Sequence, residues 1–219
     1  QDALAKWPVD VDELPYGHAR ERISSLTLDG LPRHAPDGRL IGAPFTTTFK
    51  AGRPTALRGG SGCGKTSLLK QIAGWLDAGG GRIAGDGVGL SLDARRSMSC
   101  FCPHDATILA DTVRENLFAP SASDDELWAA LNAVELKERI SATGGLNGWI
   151  TQGVLSLGEA QRLNLARAWL SDKPIILLDE PAEHLDADQG KRILEALLHR
   201  LRQRVVILSS HETGLVFAS

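Results

Sequence analysis

At 219 residues, with 42% hydrophobic and 23% charged residues, the chain has the size and mixture of one globular domain with a full core. A formal net charge of −3 gives no basic field to hold a polyanion over a long footprint, which weighs against nucleic acid as a partner, and three cysteines are too few and oddly numbered for a secreted disulfide framework. No apolar run approaches the roughly 20 residues that span a bilayer, and no signal-peptide pattern opens the chain.

Residues 1–20 carry charges and two prolines without sustained periodicity and read as a lead-in or linker. The chain opens on Gln1 and stops a few residues after an apolar strand, as a domain cut from a longer polypeptide would. From Ile23 to Leu57 come short β-like runs, "ISSLTL", "GRLI", "FTTTF" and "PTALR", separated by Gly and Pro turns. They predict a small, mainly antiparallel sheet. After Leu57 the pattern changes to a Gly-rich turn and then "KTSLLKQIAGWL", where Leu68, Leu69, Ile72 and Leu76 recur at helical spacing.

In "SMSCFCPH", strand alternation puts the thiols of Cys100 and Cys102 on one face, which reads as packing of small residues rather than a metal pair. Between Asp111 and Arg139, "TVRENL" and "DDELWAALNAVELKERI" show helical periodicity, with Ser123 or Asp124 as N-cap. "GEAQRLNLARAWL" predicts another helix. It leads through Pro174 into "IILL", the profile of a strand buried on both faces of a parallel sheet. "GKRILEALLHRLRQ" and "VVILSS" complete a second helix and strand alternation, and the chain contains no internal repeat.

The run "GGSGCGKT" fits G-x-x-x-x-G-K-S/T without exception and lies between a strand-like and a helical segment, where that motif has to lie. Backbone N–H groups of Gly59, Gly60, Ser61, Gly62, Cys63, Gly64, Lys65, Thr66 and Ser67 can then turn toward phosphate oxygens at a helix N-terminus. Lys65 is placed to reach the β and γ phosphates, and the Thr66 hydroxyl to ligate Mg²⁺. Asp179 ends "IILLD", so its carboxylate is expected at the carboxyl edge of a buried strand, holding the Mg²⁺ directly or through water. Glu180 follows, suited to polarising an attacking water, and His211, directly after "VVILSS", is expected at the same edge to contact a γ-phosphate.

Lys65, Asp179, Glu180 and His211 in that order, with "LSLGEAQR" ahead of the aspartate, resemble the nucleotide-binding domain of ABC transporters over about residues 23–211. The resemblance implies an α/β P-loop NTPase fold of the ABC ATPase type, with a mainly parallel core sheet, an N-terminal antiparallel β subdomain and a helical subdomain at about residues 103–168. Residues 1–20 would be the linker from a membrane domain and 21–219 the ATP-binding domain. The implied cofactors are ATP and Mg²⁺; the implied catalytic groups are Glu180, His211 and Lys65. The implied partners are a transmembrane domain, fused upstream or separate, and a second nucleotide-binding domain packed head to tail. The location is then the cytoplasmic face of the cell membrane.

In that arrangement Ser156, Gly158 and the helix N-terminus behind them close over the partner's nucleotide. Here Leu157 stands where the family has glycine and Glu159 where it has glutamine, so both a Cβ and a negative charge are expected to weaken that grip and to favour a non-identical partner. His104 takes the place of the Q-loop glutamine, able to contact Mg²⁺-bound water. No aromatic lies between Ile23 and Pro36 for adenine stacking, leaving Leu31, Pro32 or His34 as substitutes, and "EHLD" (183–186) resembles the D-loop.

Within the family, "GLNGW" ahead of a signature ending in Glu, together with "DEPAEHLD", looks like the CydC half of the CydDC exporter. That likeness implies a heterodimer exporting glutathione or cysteine, linked to cytochrome bd assembly. "GCGKTS" and "LSLGE" also look like the SbmA and YddA group of peptide or small-molecule exporters. A soluble ABC ATPase acting on DNA or ribosomes usually brings a coiled-coil insertion or tandem cassettes, and this sequence has neither.

Overall fold

The computed structural model describes residues 22–33 and 39–211, so the linker expected at 1–20 and the candidate His34 lie outside the described residues. Strand β1 (Ser25–Leu31) buries Leu26 and Leu28 on one face and, past a bulge, Leu31. Full burial of Leu31 removes it from any role in stacking on a base. β2 (Phe45–Lys50) runs antiparallel to β1, whereas "GRLI" contributes only an isolated bridge at Leu40, whose side chain stays exposed.

β3 (Thr55–Arg58) corrects the expectation that "PTALR" joins the antiparallel sheet, because it pairs in parallel with a strand near the end of the chain. It runs through residues 59–64 into helix α1 (Lys65–Ile72). The antiparallel sheet is completed by β4 (Arg82–Gly85) and β5 (Val88–Gly89), a hairpin not foreseen in sequence. Its turn is Asp86-Gly87, both at positive φ (47° and 80°), the backbone that a tight two-residue hairpin demands.

Helix α2 (Leu92–Met98), capped by Ser91, leads into β6 (Ser99–Cys102). After β7 (Asp111–Thr112), the short α3 (Val113–Asn116), α4 (Asp124–Ala133), α5 (Lys137–Ala142) and β8 (Trp149–Ile150) form the helical region. Ser123 is the N-cap of α4 and forms a reciprocal capping box with Glu126, as the sequence indicated. The single helical span expected over 124–139 is split, because Glu135 adopts a φ of 56° and the backbone turns. That turn is anchored: the Glu135 carboxylate accepts from Gln189 Nε2 at 2.8 Å and Arg192 Nε at 3.1 Å.

α6 (Leu157–Leu170), β9 (Ile175–Leu178), α7 (Ala187–Arg200) and β10 (Val205–Ser210) finish the fold. The antiparallel sheet has the order β2-β1-β4-β5, and the parallel sheet β3-β10-β9-β6. Every residue of β9 and β10 is buried, and their side chains divide by parity. Ile175, Leu177, Val205 and Ile207 pack with α1 and the antiparallel sheet, while Ile176, Leu178, Val206 and Leu208 pack with the helical region. A strand that covers two cores has no polar face to offer, which is why "IILL" and "VVIL" read as continuous apolar runs. Among the described residues no helix is long and apolar enough to cross a membrane.

Two buried polar side chains fix the segment between β6 and α4. Asn116 accepts from Leu109 N–H at 2.8 Å and donates to the carbonyls of Leu109 and Thr112, both at 3.0 Å. Arg167 of α6 donates to the Asn116 carbonyl at 2.7 Å and the Thr107 carbonyl at 2.9 Å, with its guanidinium over the Phe118 ring. Asn116→Ala removes three hydrogen bonds of a fully buried side chain and leaves the Leu109 N–H without its acceptor, while the Leu109 carbonyl keeps the Asp111 N–H. It is expected to cost about 2–4 kcal/mol of unfolding free energy by denaturant titration, against under about 0.5 kcal/mol for an exposed control substitution.

Candidate functional site

The loop after β3 is shaped by glycines at two places where no other residue fits easily. Gly62 and Gly64 take φ of 76° and 89°, and Gly64 is the N-cap of α1. The first turn of α1 has no side-chain cap and no acidic residue, so its N–H groups and the positive end of its dipole face outward. These are the donors an anion needs.

Lys65, the first residue of α1, folds back over that loop. Its ammonium donates to the Gly59 carbonyl at 2.8 Å and the Gly60 carbonyl at 3.3 Å, and lies 3.5 Å from Glu180 Oε1. His211, just past β10, completes the cluster: its Nδ1 is 3.4 Å from the Lys65 ammonium and its Nε2 3.0 Å from Glu180 Oε1. The Nε2–H tautomer satisfies both contacts, with Lys65 donating to Nδ1 and Nε2–H donating to the carboxylate. The His211 backbone N–H also donates to Glu180 Oε2 at 3.1 Å. Glu180 itself is held at a φ of 48°, a strained position for a residue with a side chain.

Asp179 precedes it and is only 1% exposed. Its Oδ1 accepts from Ser209 Oγ at 2.6 Å, and the same oxygen of Ser209 accepts from the Glu180 N–H at 2.8 Å. Ser209 is not singled out by the sequence reading; the signal is a serine following four apolar residues within a fully buried strand. From α6, Gln161 Nε2 donates to the Glu180 carbonyl at 3.4 Å and Asn164 Nδ2 to the Pro103 carbonyl at 2.9 Å, so one helix fixes the loops after both β9 and β6.

Ser61, Gly62, Cys63, Gly64, Lys65, Thr66 and Ser67 share a cavity of about 480 Å³ with His104, Asp179, Glu180 and His211. Gly59 and Gly60 are not among the residues lining it, and touch it only indirectly, their carbonyls accepting from Lys65. Thr66, Asp179 and the phosphates of a nucleotide are oxygen donors, the set that suits Mg²⁺. A larger cavity of about 930 Å³, walled by Cys100, Phe101, Phe118, Arg167 and Trp169, touches none of residues 59–66. There the two thiols interact as expected from alternation: the hydrogen bond with Cys102 lowers the Cys100 pKa, and the same bond together with burial raises that of Cys102.

Ser156 and Gly158 do not line the cavity of their own chain. Ser156 is the N-cap of α6 and accepts from the Glu159 N–H at 3.2 Å. A β-carbon on Gly158 would stand 2.7 Å from the His184 carbonyl, so the loop 183–186 and the start of α6 meet only because the residue is glycine. Leu157 is 66% exposed. Glu159 is not the free charge that the sequence pointed to: its Oε2 accepts from the Ser156 N–H at 2.9 Å and its Oε1 pairs with Arg139 Nε at 3.0 Å.

The sequence profile of the family described as ABC transporter matches residues 43–183. The glutathione/L-cysteine transport system ATP-binding/permease protein CydC of Escherichia coli is 38% identical over 168 residues, 74% of this chain and 29% of that protein. CydD of the same system and organism is 34% identical over 192 residues, 81% of this chain and 32% of that protein. A bacterial Atm1-family ABC exporter solved with ATP bound superposes with a TM-score of 0.80 at 26% identity, covering 91% of this chain and 36% of that one. The chain thus spans about three-tenths of the length of these curated relatives.

Burial alone would raise the Glu159 pKa, but the Ser156 N–H and the Arg139 guanidinium outweigh it, and the net shift is downward. A carboxyl with a depressed folded-state pKa adds stability above its unfolded pKa, and that stability is lost as pH falls through the folded value. Unfolding free energies measured from about pH 6 to about pH 3 should therefore decline less steeply in Glu159→Gln than in the parent. An identical slope would mean the capping carboxylate does not titrate with folding.

Proposed function

From the premise that this chain belongs to the ABC transporter family, whose ATP-binding domains hydrolyse ATP to power transport, we propose that it is the ATP-binding and hydrolysing part of a membrane exporter. The observation that carries this reading is the cluster of Lys65, Glu180 and His211 against the loop 59–66, with Asp179 buried beside it.

The backbone N–H groups of residues 60–67 and the Lys65 ammonium bind the β and γ phosphates. A phosphate here takes Lys65 as a counter-charge and releases Glu180 from its contact with that ammonium. Thr66 and Asp179 would hold Mg²⁺, with His104 at its bound water; the ion supplies charge neutralisation of the phosphate oxygens. Ser209 fixes the Asp179 carboxylate and the Glu180 N–H together, so the two acids keep a constant separation. Glu180 orients and deprotonates the attacking water, and the Nε2–H of His211 holds Glu180 in place while its position at the strand end lets it contact a γ-phosphate.

The partner would be a second nucleotide-binding domain whose signature segment seals the nucleotide held here, while Ser156 and Gly158 of this chain serve the partner's. Leu157 projects its exposed isobutyl group at that segment, and this favours a non-identical partner with a regular signature. Similarity to CydC and CydD supports a heterodimer that exports glutathione or cysteine, with a transmembrane domain fused upstream or separate; this domain would then lie at the cytoplasmic face of the cell membrane. The helical region at about residues 103–168 would pass the motion of closure to that membrane part.

In the assembled transporter, Glu180→Gln is expected to lower ATP turnover by about 10²–10³-fold while nucleotide affinity persists. Lys65→Ala should weaken nucleotide binding itself, read by titration with a fluorescent ATP analogue. Unchanged turnover in the first variant would remove Glu180 from the chemistry; unchanged affinity in the second would remove the phosphate cradle.

A further inference from the structure

Two histidines and two carboxylates gather at the mouth of the nucleotide cavity, from loops that are far apart in sequence. His104 and Asp105 follow β6 through Pro103, while Glu183 and His184 lie in the loop after β9. Ligating atoms of His104, Asp105 and His184 all fall within 4.8 Å of one another. The His104 and His184 rings are 5.3 Å apart between centroids. His104 Nε2 lies 3.7 Å from Asp105 Oδ1, and on its other side Nδ1 lies 3.1 Å from Glu183 Oε2.

Both histidine-bearing loops are anchored. Asn164 holds the Pro103 carbonyl, and the His184 carbonyl packs against Gly158. Although Glu183 is near, Nδ1 of His104 is buried and its angle to that carboxylate fails the geometry of a hydrogen bond. With Nδ1 facing Glu183, Nε2 is the nitrogen left on the side of Asp105 to ligate an ion. That is the arrangement of a metal-ligating imidazole whose second nitrogen is oriented by a carboxylate. Donor atoms sharing one ion at about 2.0–2.1 Å stand about 3.0–3.4 Å apart. The exposed Asp105 side chain is free to close the remaining distance.

We propose that His104, His184 and Asp105 form a binding site for a divalent transition-metal ion of the zinc class, with Glu183 orienting His104. Two imidazoles and one carboxylate select borderline ions such as Zn²⁺ over Mg²⁺, which prefers oxygen and water. An ion there ties the loop after β6 to the loop after β9. His104, Asp105 and Glu183 line the nucleotide cavity, so an ion held there occupies the imidazole that would otherwise face the water on Mg²⁺. The site does not rest on the proposed ATPase reading.

The test is titration of the purified full chain with Zn²⁺ alone, in competition with a chromogenic chelator and without nucleotide. One ion per chain at micromolar affinity or tighter is expected. His184→Ala and Asp105→Asn should each weaken binding by about tenfold or more, while Cys100→Ser/Cys102→Ser leaves it unchanged. Substituted Co²⁺ should give visible ligand-field absorption without sulfur-to-metal charge transfer. Lys65→Ala should keep the metal while losing nucleotide, which separates failure of this site from failure of the functional reading. The proposal is overturned if no stoichiometric binding occurs, if His184→Ala and Asp105→Asn both bind like the parent, or if binding disappears with the two thiols.

Discussion

Leu178 pairs in parallel register with Leu208 on one side and with Cys102 on the other, and Arg58 pairs with Ser210. This register brings the carboxyl ends of β3, β10, β9 and β6 to one edge of the sheet, so the loop 59–66, His211, Asp179 with Glu180, and His104 converge although they span most of the sequence. The register is enforced from both faces. A slip by one residue would move each side chain of β9 from one core to the other, against a complete set of packed partners. The site is therefore a consequence of how the two cores divide the sheet between them.

Helix α6 links this edge to the segment 156–158 at its own N-terminus. Its interior residues Gln161 and Asn164 hold the loops after β9 and β6, and its N-terminus carries Ser156, Leu157 and Gly158 away from the cavity of the same chain. A displacement of α6 would be felt at once by Glu180 and by the segment beside His104. Arg167, further along the same helix, extends the connection to Asn116 and Thr107 in the helical region. Of the two departures from the family pattern at 157 and 159, only Leu157 keeps an exposed, unengaged side chain. The charge of Glu159 is spent on the N-cap and on Arg139.

Much of this was legible in the sequence, because the pattern of residues reflected burial on both faces or an obligatory backbone shape. "IILL" and "VVILSS" announce strands without a polar face, and "GGSGCGKT" states its own conformation through glycines at positive φ. Membership of β3 in the parallel sheet was not legible, since four residues of a short strand hold no record of which distant strand they will pair with. The hairpin β4–β5 did carry a signal, the Asp86-Gly87 turn, as did the Ser156-x-x-Glu159 spacing of a capping box. Reading Glu159 only as a charge near phosphate passed over that local explanation. The meeting of His104 with Glu183 and His184 depends on tertiary placement alone, and no spacing rule could have paired them.

In the proposed function, a loop of backbone amides and one lysine receive a triphosphate at this sheet edge. A crystal structure of the chain with a non-hydrolysable ATP analogue and Mg²⁺ tests it most directly. The β and γ phosphates are expected within hydrogen-bonding reach of Lys65 and the amides of residues 62–66, with the metal between Thr66 and Asp179. Nucleotide seated instead in the larger cavity beside Cys100 and Phe118, or phosphates out of reach of Lys65, would contradict it.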